Sequence, residues 1–148
     1  MAGLIFVRFP HLPLPRIPAG EAASAYVARP DADFLLPAQR DEYERIKATM
    51  KDEVCAAVYA ESEAAWPYLL KKPSCSRFFF VWFAAARQHQ TQFIEDMERE
   101  KPGLILAAPG SVIDGIPNSM RYPLIEAYLG AKYRMRWKSN RYLMLERI

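Results

Sequence analysis

Two short, nearly continuous apolar runs, Val54–Ala60 and Arg77–Trp82, stand one short helix apart, and that spacing constrains the fold more than any other feature of the chain. The first reads Val-Cys-Ala-Ala-Val-Tyr-Ala; the second, after Cys75-Ser76, reads Arg-Phe-Phe-Phe-Val-Trp. Runs of this length, β-branched and aromatic at their centres, fit strands buried on both faces. Between them, Glu61–Leu70 reads as a helix and Lys71-Lys72-Pro73 as its stop. Strand, helix and strand in that order make a βαβ unit with a right-handed crossover. A third run, Leu104–Ala108, closed by Pro109-Gly110, repeats the alternation. The expectation is an α/β fold: an open, mostly parallel, Rossmann-like sheet with core strands near 54–60, 77–82 and 104–108, helices on both faces and a C-terminal β-hairpin.

The flanking segments follow from periodicity. Pro37 opens an amphipathic helix over about 38–51, with Tyr43, Ile46 and Met50 on one stripe. Phe93, Ile94 and Met97 mark a second helix over about 88–100, ended by Lys101-Pro102-Gly103. Residues 110–119 read as a loop, and Tyr122, Ile125, Tyr128 and Leu129 as a helix capped by Gly130. Two alternating runs, Tyr133–Lys138 and Arg141–Glu146, flank Ser139-Asn140 as a hairpin. Strict alternation would put Tyr133, Met135 and Trp137 on one face and Arg134, Arg136 and Lys138 on the other. Ser24–Ala28 reads as a short strand.

A chain of 148 residues fits one domain. Residues 1–20 read as an arm, with an apolar start, Leu4-Ile5-Phe6-Val7, and then Pro10, Pro13, Pro15 and Pro18, which favour extended backbone over helix. Residues 21–148 form the α/β domain. The start is far shorter than the ~20 apolar residues of a membrane-spanning helix, and without a basic leader or cleavage site it reads poorly as a signal peptide. With 20 basic and 17 acidic residues, the net charge of +3 does not argue for nucleic acid. Cys55 and Cys75 each begin an expected strand. Parallel neighbours could bring them close enough to bridge, but as small apolar residues they are expected to be buried free thiols. Neither a CxxC pair nor a zinc spacing is present.

Little in the chain carries catalytic chemistry. His11 lies in the proline-rich arm and His89 at the start of a polar helix, so neither reads as the base of a nucleophile. There is no Gly-rich phosphate loop and no GxGxxG, and no cofactor is expected. Ligands of open α/β sheets bind beyond the carboxyl ends of the strands. Asp114, Asn118 and Arg121 after the third strand, with Glu61 after the first, are therefore the candidate ligand-binding residues. Turn formation accounts for Asp114-Gly115 and Pro117-Asn118 equally well, and Glu61-Ser62-Glu63 suits a helix N-terminus. Arg134, Arg136 and Lys138 could meet phosphates or lipid headgroups, or simply form a solvated, charge-blunted strand face. Trp66, Trp82 and Trp137 could stack on a sugar, though core packing is the ordinary role of such rings.

Four stretches carry a family resemblance: SEAAWPYLLKKPSCSRFFFVW from Ser62, FIEDMEREKPGLIL from Phe93, IDGIPNSMRYPLIEAYL from Ile113 and the closing RYLMLERI. Over residues 37–148 the chain resembles the C-terminal soluble region of bacterial C-type membrane glycosyltransferases, similar to protein mannosyltransferases, which take polyprenyl-phosphate sugars as donors. The resemblance rests on the order of elements and on short phrases, and no position matches the family's catalytic carboxylates. It implies a non-catalytic accessory domain on the extracytoplasmic (periplasmic) face of the bacterial inner membrane. The partners it implies are the membrane-embedded portion of the same protein and a glycan or polyprenyl-phosphate sugar. The apolar start would be the tail of a membrane helix and the proline-rich arm its exit linker. The residues alone leave a second reading open, a free-standing α/β small-molecule-binding protein or enzyme with its site near the 110–121 loop.

Overall fold

The computed structural model describes residues 30, 35–60, 65–108, 110, 112–113 and 115–148. The chain divides into two compact units, Met1–Arg40 and Asp41–Ile148. The proline-rich arm and the strand expected at Ser24–Ala28 lie outside the described residues. In chain order the elements are α1 (Pro37–Thr49), β1 (Ala57–Tyr59), α2 (Trp66–Leu69), a 3-10 turn (Val81–Ala84), α3 (Arg87–Glu100), β2 (Leu104–Ala107), β3 (Val112–Ile113), β4 (Ile116–Pro117), α4 (Asn118–Arg121), α5 (Pro123–Lys132), β5 (Tyr133–Lys138) and β6 (Leu143–Arg147). In the first unit the Leu36 N–H donates to Gln39 Oε1 at 2.9 Å, half of a capping box ahead of a proline-led first turn.

The second unit is α/β. Its main sheet runs β1-β2-β6-β5. β1 and β2 are parallel, Ala57 opposite Ile105; β6 is antiparallel to both β2 and β5. The sheet is therefore mixed, with one parallel and two antiparallel pairings, rather than the mostly parallel Rossmann-like sheet expected. Strand composition accounts for the placement of the hairpin. Leu143 and Leu145 pack on one core and Met144 is buried on the other side, so β6 belongs inside the sheet. The Arg-rich β5 takes the edge, where charge blunts further pairing.

Alternation assigns the faces. Ala57, Tyr59, Ile105 and Ala107 join Phe93 and Met97 of α3 and Ile125 and Leu129 of α5 in one core. On the other face Leu106 is paired with Met144. There Tyr43 of α1 stacks on Trp66 (6.3 Å), which meets Tyr142 edge-on at 5.4 Å. Helices thus flank both faces. A register shift between Met135 and Trp137 makes a β-bulge in β5. It brings Trp137 opposite Met144 and under the Arg45 guanidinium at 4.1 Å, so Trp137 does not share a face with Met135 as strict alternation would have it. α5 runs through Gly130 to Lys132, so that glycine is not its cap.

The largest departure from expectation is at 77–82, which is not a strand. Pairing with β1 shrinks to one parallel bridge, Ala56 opposite Ser74. Beyond it, side chains capture the backbone donors a ladder would need. The Phe78 N–H donates to Ser76 Oγ (3.0 Å) and the Arg77 N–H to Asp96 Oδ2 (2.9 Å). Asp96, wholly buried on α3, also accepts from Ser76 Oγ (3.3 Å), Arg77 Nε (2.9 Å) and Nη2 (2.8 Å), and Arg99 Nη1 (2.9 Å). Burial opposes ionisation of this carboxyl, but the hydrogen bonds from Arg77 and Arg99 more than offset it and hold its pKa well below the usual carboxylate range.

Cys55 and Cys75 are not free thiols. They form a disulfide with a Cα–Cα separation of 5.1 Å. The bridge at Ala56 and Ser74 brings the two residues into reach, so the alignment that the parallel-strand reading required survives although the second strand does not.

Two outcomes follow. Alkylation under denaturing, non-reducing conditions should add no label to the cysteines, and Cys55→Ser/Cys75→Ser should lose about 3 kcal/mol in urea unfolding, the chain-entropy value for a loop of this length. Asp96→Ala should lose about 2–3 kcal/mol at neutral pH, a buried-charge value reduced because both arginine partners are half exposed. The sign of the pH effect follows from the lowered folded-state pKa. The contribution of Asp96 is fully present above the unfolded value of about 4 and is lost as pH falls toward the folded one. The stability difference between the native chain and Asp96→Ala should begin to shrink only below about pH 4 and keep shrinking as the pH falls further.

Candidate functional site at the carboxyl ends of the parallel strands

β1 and β2 end side by side, joined past their ladder by the Ala108 N–H to the Tyr59 carbonyl (3.2 Å). The chain leaves β2 through Gly110 (φ 64°), forms the β3–β4 hairpin around Gly115 (φ 75°), and enters α4 and α5. Both glycines take left-handed backbone that other residues adopt only with strain.

Three features meet at this end. Tyr59 donates its hydroxyl to Glu126 Oε1 at 2.7 Å, and its ring meets Tyr122 edge-on at 6.0 Å. Gln90, buried in the first turn of α3, donates to the Ala85 carbonyl (2.9 Å) and the Arg121 carbonyl (3.2 Å) and accepts from the Leu124 N–H (3.0 Å). It thereby fixes the α4–α5 junction against the 3-10 turn. The Arg121 guanidinium lies over the Trp82 ring, 5.8 Å from its centroid.

Of the residues expected here, Asn118 and Arg121 come to this end of the sheet. Asn118 is buried, and its carbonyl accepts the Tyr122 N–H at 2.7 Å, as turn formation would have it. Asp114 and Glu61 lie outside the described residues. The sequence reading missed Tyr59, Glu126 and Gln90. Tyr59 looked like strand core, and Gln90 and Glu126 carry no motif. The three tryptophans separate: Trp66 is buried core, Trp137 is half-buried under Arg45, and Trp82 is exposed. His89 Nδ1 lies 2.9 Å from the Phe83 carbonyl and braces the 3-10 turn rather than a nucleophile.

Arg134 and Arg136 line an open groove of about 530 Å³ together with Lys51, Asp52, Glu53 and Glu146. Glu146 pairs with both arginines, at 3.2 and 3.4 Å, and so compensates one of their two charges. Lys138 does not line the groove. Among the described residues no group of three His, Cys, Asp or Glu side chains could hold a metal ion, and no helix is long and apolar enough to cross a membrane.

Chemically, the strand-end site offers the Glu126 carboxylate, the Arg121 guanidinium and the exposed Trp82 indole, while the Tyr59 hydroxyl is buried and committed to Glu126. That set can hydrogen-bond and stack on a polyhydroxylated ligand. Comparison with protein-family models, curated proteins and solved structures finds no match to this chain.

Gln90→Leu should cost about 2 kcal/mol in urea unfolding, because it leaves two carbonyls and one N–H without the partner they have now. Trp82→Ala, at an exposed position, should stay within about 0.5 kcal/mol of the native chain in the same assay.

Proposed function

We propose that this chain is an extracytoplasmic accessory domain of a membrane glycosyltransferase that uses a polyprenyl-phosphate sugar donor. In this reading it positions acceptor or donor and does not itself transfer the sugar. Its partners are the membrane-embedded portion of the same protein and the glycan or lipid-linked sugar. It works at the periplasmic face of the bacterial inner membrane. The observation that carries the reading is the Cys55–Cys75 disulfide, because disulfides form and persist in oxidising compartments outside the cytoplasm. The indole of Trp82 beside Arg121 supports it, as an aromatic face and a guanidinium suit a sugar phosphate.

A short-chain polyprenyl-phosphate sugar titrated into the oxidised chain should perturb the Trp82 indole and Arg121 side-chain NMR signals, with no free sugar or transfer product formed. Product formation by this chain alone, or unmoved signals at saturating donor, would overturn the proposal. The juxtaposition of Tyr59, Asn118, Arg121 and Glu126 favours a second reading, a free-standing small-molecule-binding protein with its site near the 110–121 loop. That reading gains if the soluble sugar phosphate binds as tightly as its lipid-linked form.

A further inference from the structure

β5 ends the sheet, and no strand pairs with its outer side among the described residues. The ladder shows which backbone groups face that way. The Ile148 N–H donates to the Lys132 carbonyl (2.9 Å) and the Ser139 N–H to the Tyr142 carbonyl (2.8 Å). Opposed residues of an antiparallel pair alternate between bonding across the pair and turning their N–H and C=O away from it. Counted inward from those two bonds, Met135 opposite Leu145 and Lys138 opposite Leu143 turn away, toward the open edge. The bulge sets them three residues apart instead of two, so a partner strand pairs here only over a few residues.

Charge selects the occupant. From Ala127 to Leu145 the chain has no Asp or Glu but carries Lys132, Arg134, Arg136, Lys138 and Arg141, all exposed. Glu146 pairs with Arg134 and Arg136, and among the described residues no ion pair holds the other three. A second copy pairing edge to edge would set like charges against each other, since an isologous contact repeats the same surface. The charge that blunts the edge against its own kind suits an acidic segment, whose carboxylates find the cations that Glu146 alone does not balance. Met135, 61% exposed between Arg134 and Arg136, adds an apolar contact. A phosphate polymer or a lipid headgroup would use the cations but leave the open backbone groups of Met135 and Lys138 without a strand to pair with.

We propose that β5 receives a short acidic segment of a partner protein as an added strand, its carboxylates on Lys132, Arg134, Arg136 and Lys138 and its backbone on Met135 and Lys138. The proposal goes beyond the glycosyltransferase reading and uses no part of the Trp82 and Arg121 site. It is tested without any sugar donor, so either reading can fail while the other stands.

The test uses the full oxidised chain and a fluorescein-labelled heptapeptide of alternating glutamate and valine, read by fluorescence anisotropy. The peptide should bind, and the amide hydrogens of Met135 and Lys138 should exchange more slowly in its presence. A fully N-methylated twin carries the same charge but no backbone donors, and it should bind about tenfold more weakly. Arg134→Ser/Arg136→Ser should weaken binding of the unmodified peptide about tenfold, and added salt should weaken it in the native chain. Because the double variant strips Glu146 of its partners, Lys138→Glu is the second variant. Lys138 is exposed and in no ion pair among the described residues, so its reversal should weaken binding with the urea midpoint unchanged. The proposal is overturned if the native chain does not bind the peptide or if Lys138→Glu binds it as the native chain does. Equal binding of the N-methylated twin would also overturn it, in favour of a general anion-binding surface.

Discussion

The buried Asp96 carboxylate is the interaction on which the arrangement of this domain turns. An ionised group removed from water is costly unless it is hydrogen-bonded and paired, and Asp96 receives the Arg77 guanidinium and backbone, the Ser76 hydroxyl and Arg99. Those bonds fasten the segment after Cys75 to α3. The Cys55–Cys75 disulfide fastens the residue before it to the start of β1. Held from both sides, the segment turns away from the sheet after one bridge and becomes a wall of the core. Phe78, Val81 and Ala84 pack inward, while the neighbouring rings are left outside.

The sheet follows from that diversion. With 77–82 spent on the wall, β2 lies directly against β1, and the C-terminal hairpin completes the sheet from the other side. Which hairpin strand lies inside is decided by burial. β6 has apolar side chains for both faces, while β5 alternates them with arginines. The bulge in β5 then turns Trp137 toward α1, where Arg45 covers it.

The same packing sorts the surfaces. On the groove face, Arg134 and Arg136 share Glu146, so one of their two charges is met within the protein. At the carboxyl ends of β1 and β2, Gln90 fixes the α4–α5 junction to the 3-10 turn, and Tyr59 binds Glu126. What remains open there is the Trp82 indole beside Arg121, from which the sugar-donor reading is drawn.

Much of this was legible along the chain. The period of Tyr43, Ile46 and Met50 marks α1, that of Phe93 and Met97 marks α3, and the alternation around Ser139-Asn140 marks the hairpin, because each pattern records which side chains must leave water. The apolar run at 104–108 is a buried strand for the same reason. The run at 77–82 has equal hydrophobicity but a different fate. Its first backbone donors are taken by Ser76 and by Asp96, the latter nineteen residues away, and no local pattern announces a partner at that distance. Strand order, the disulfide, the outward face of Trp82 and the meeting of Tyr59 with Glu126 are likewise relations between distant residues. The sequence by itself determined which segments are apolar and with what period. Only the tertiary structure decided which of them pair, because competition for hydrogen-bond partners and for burial is settled between segments, not within them.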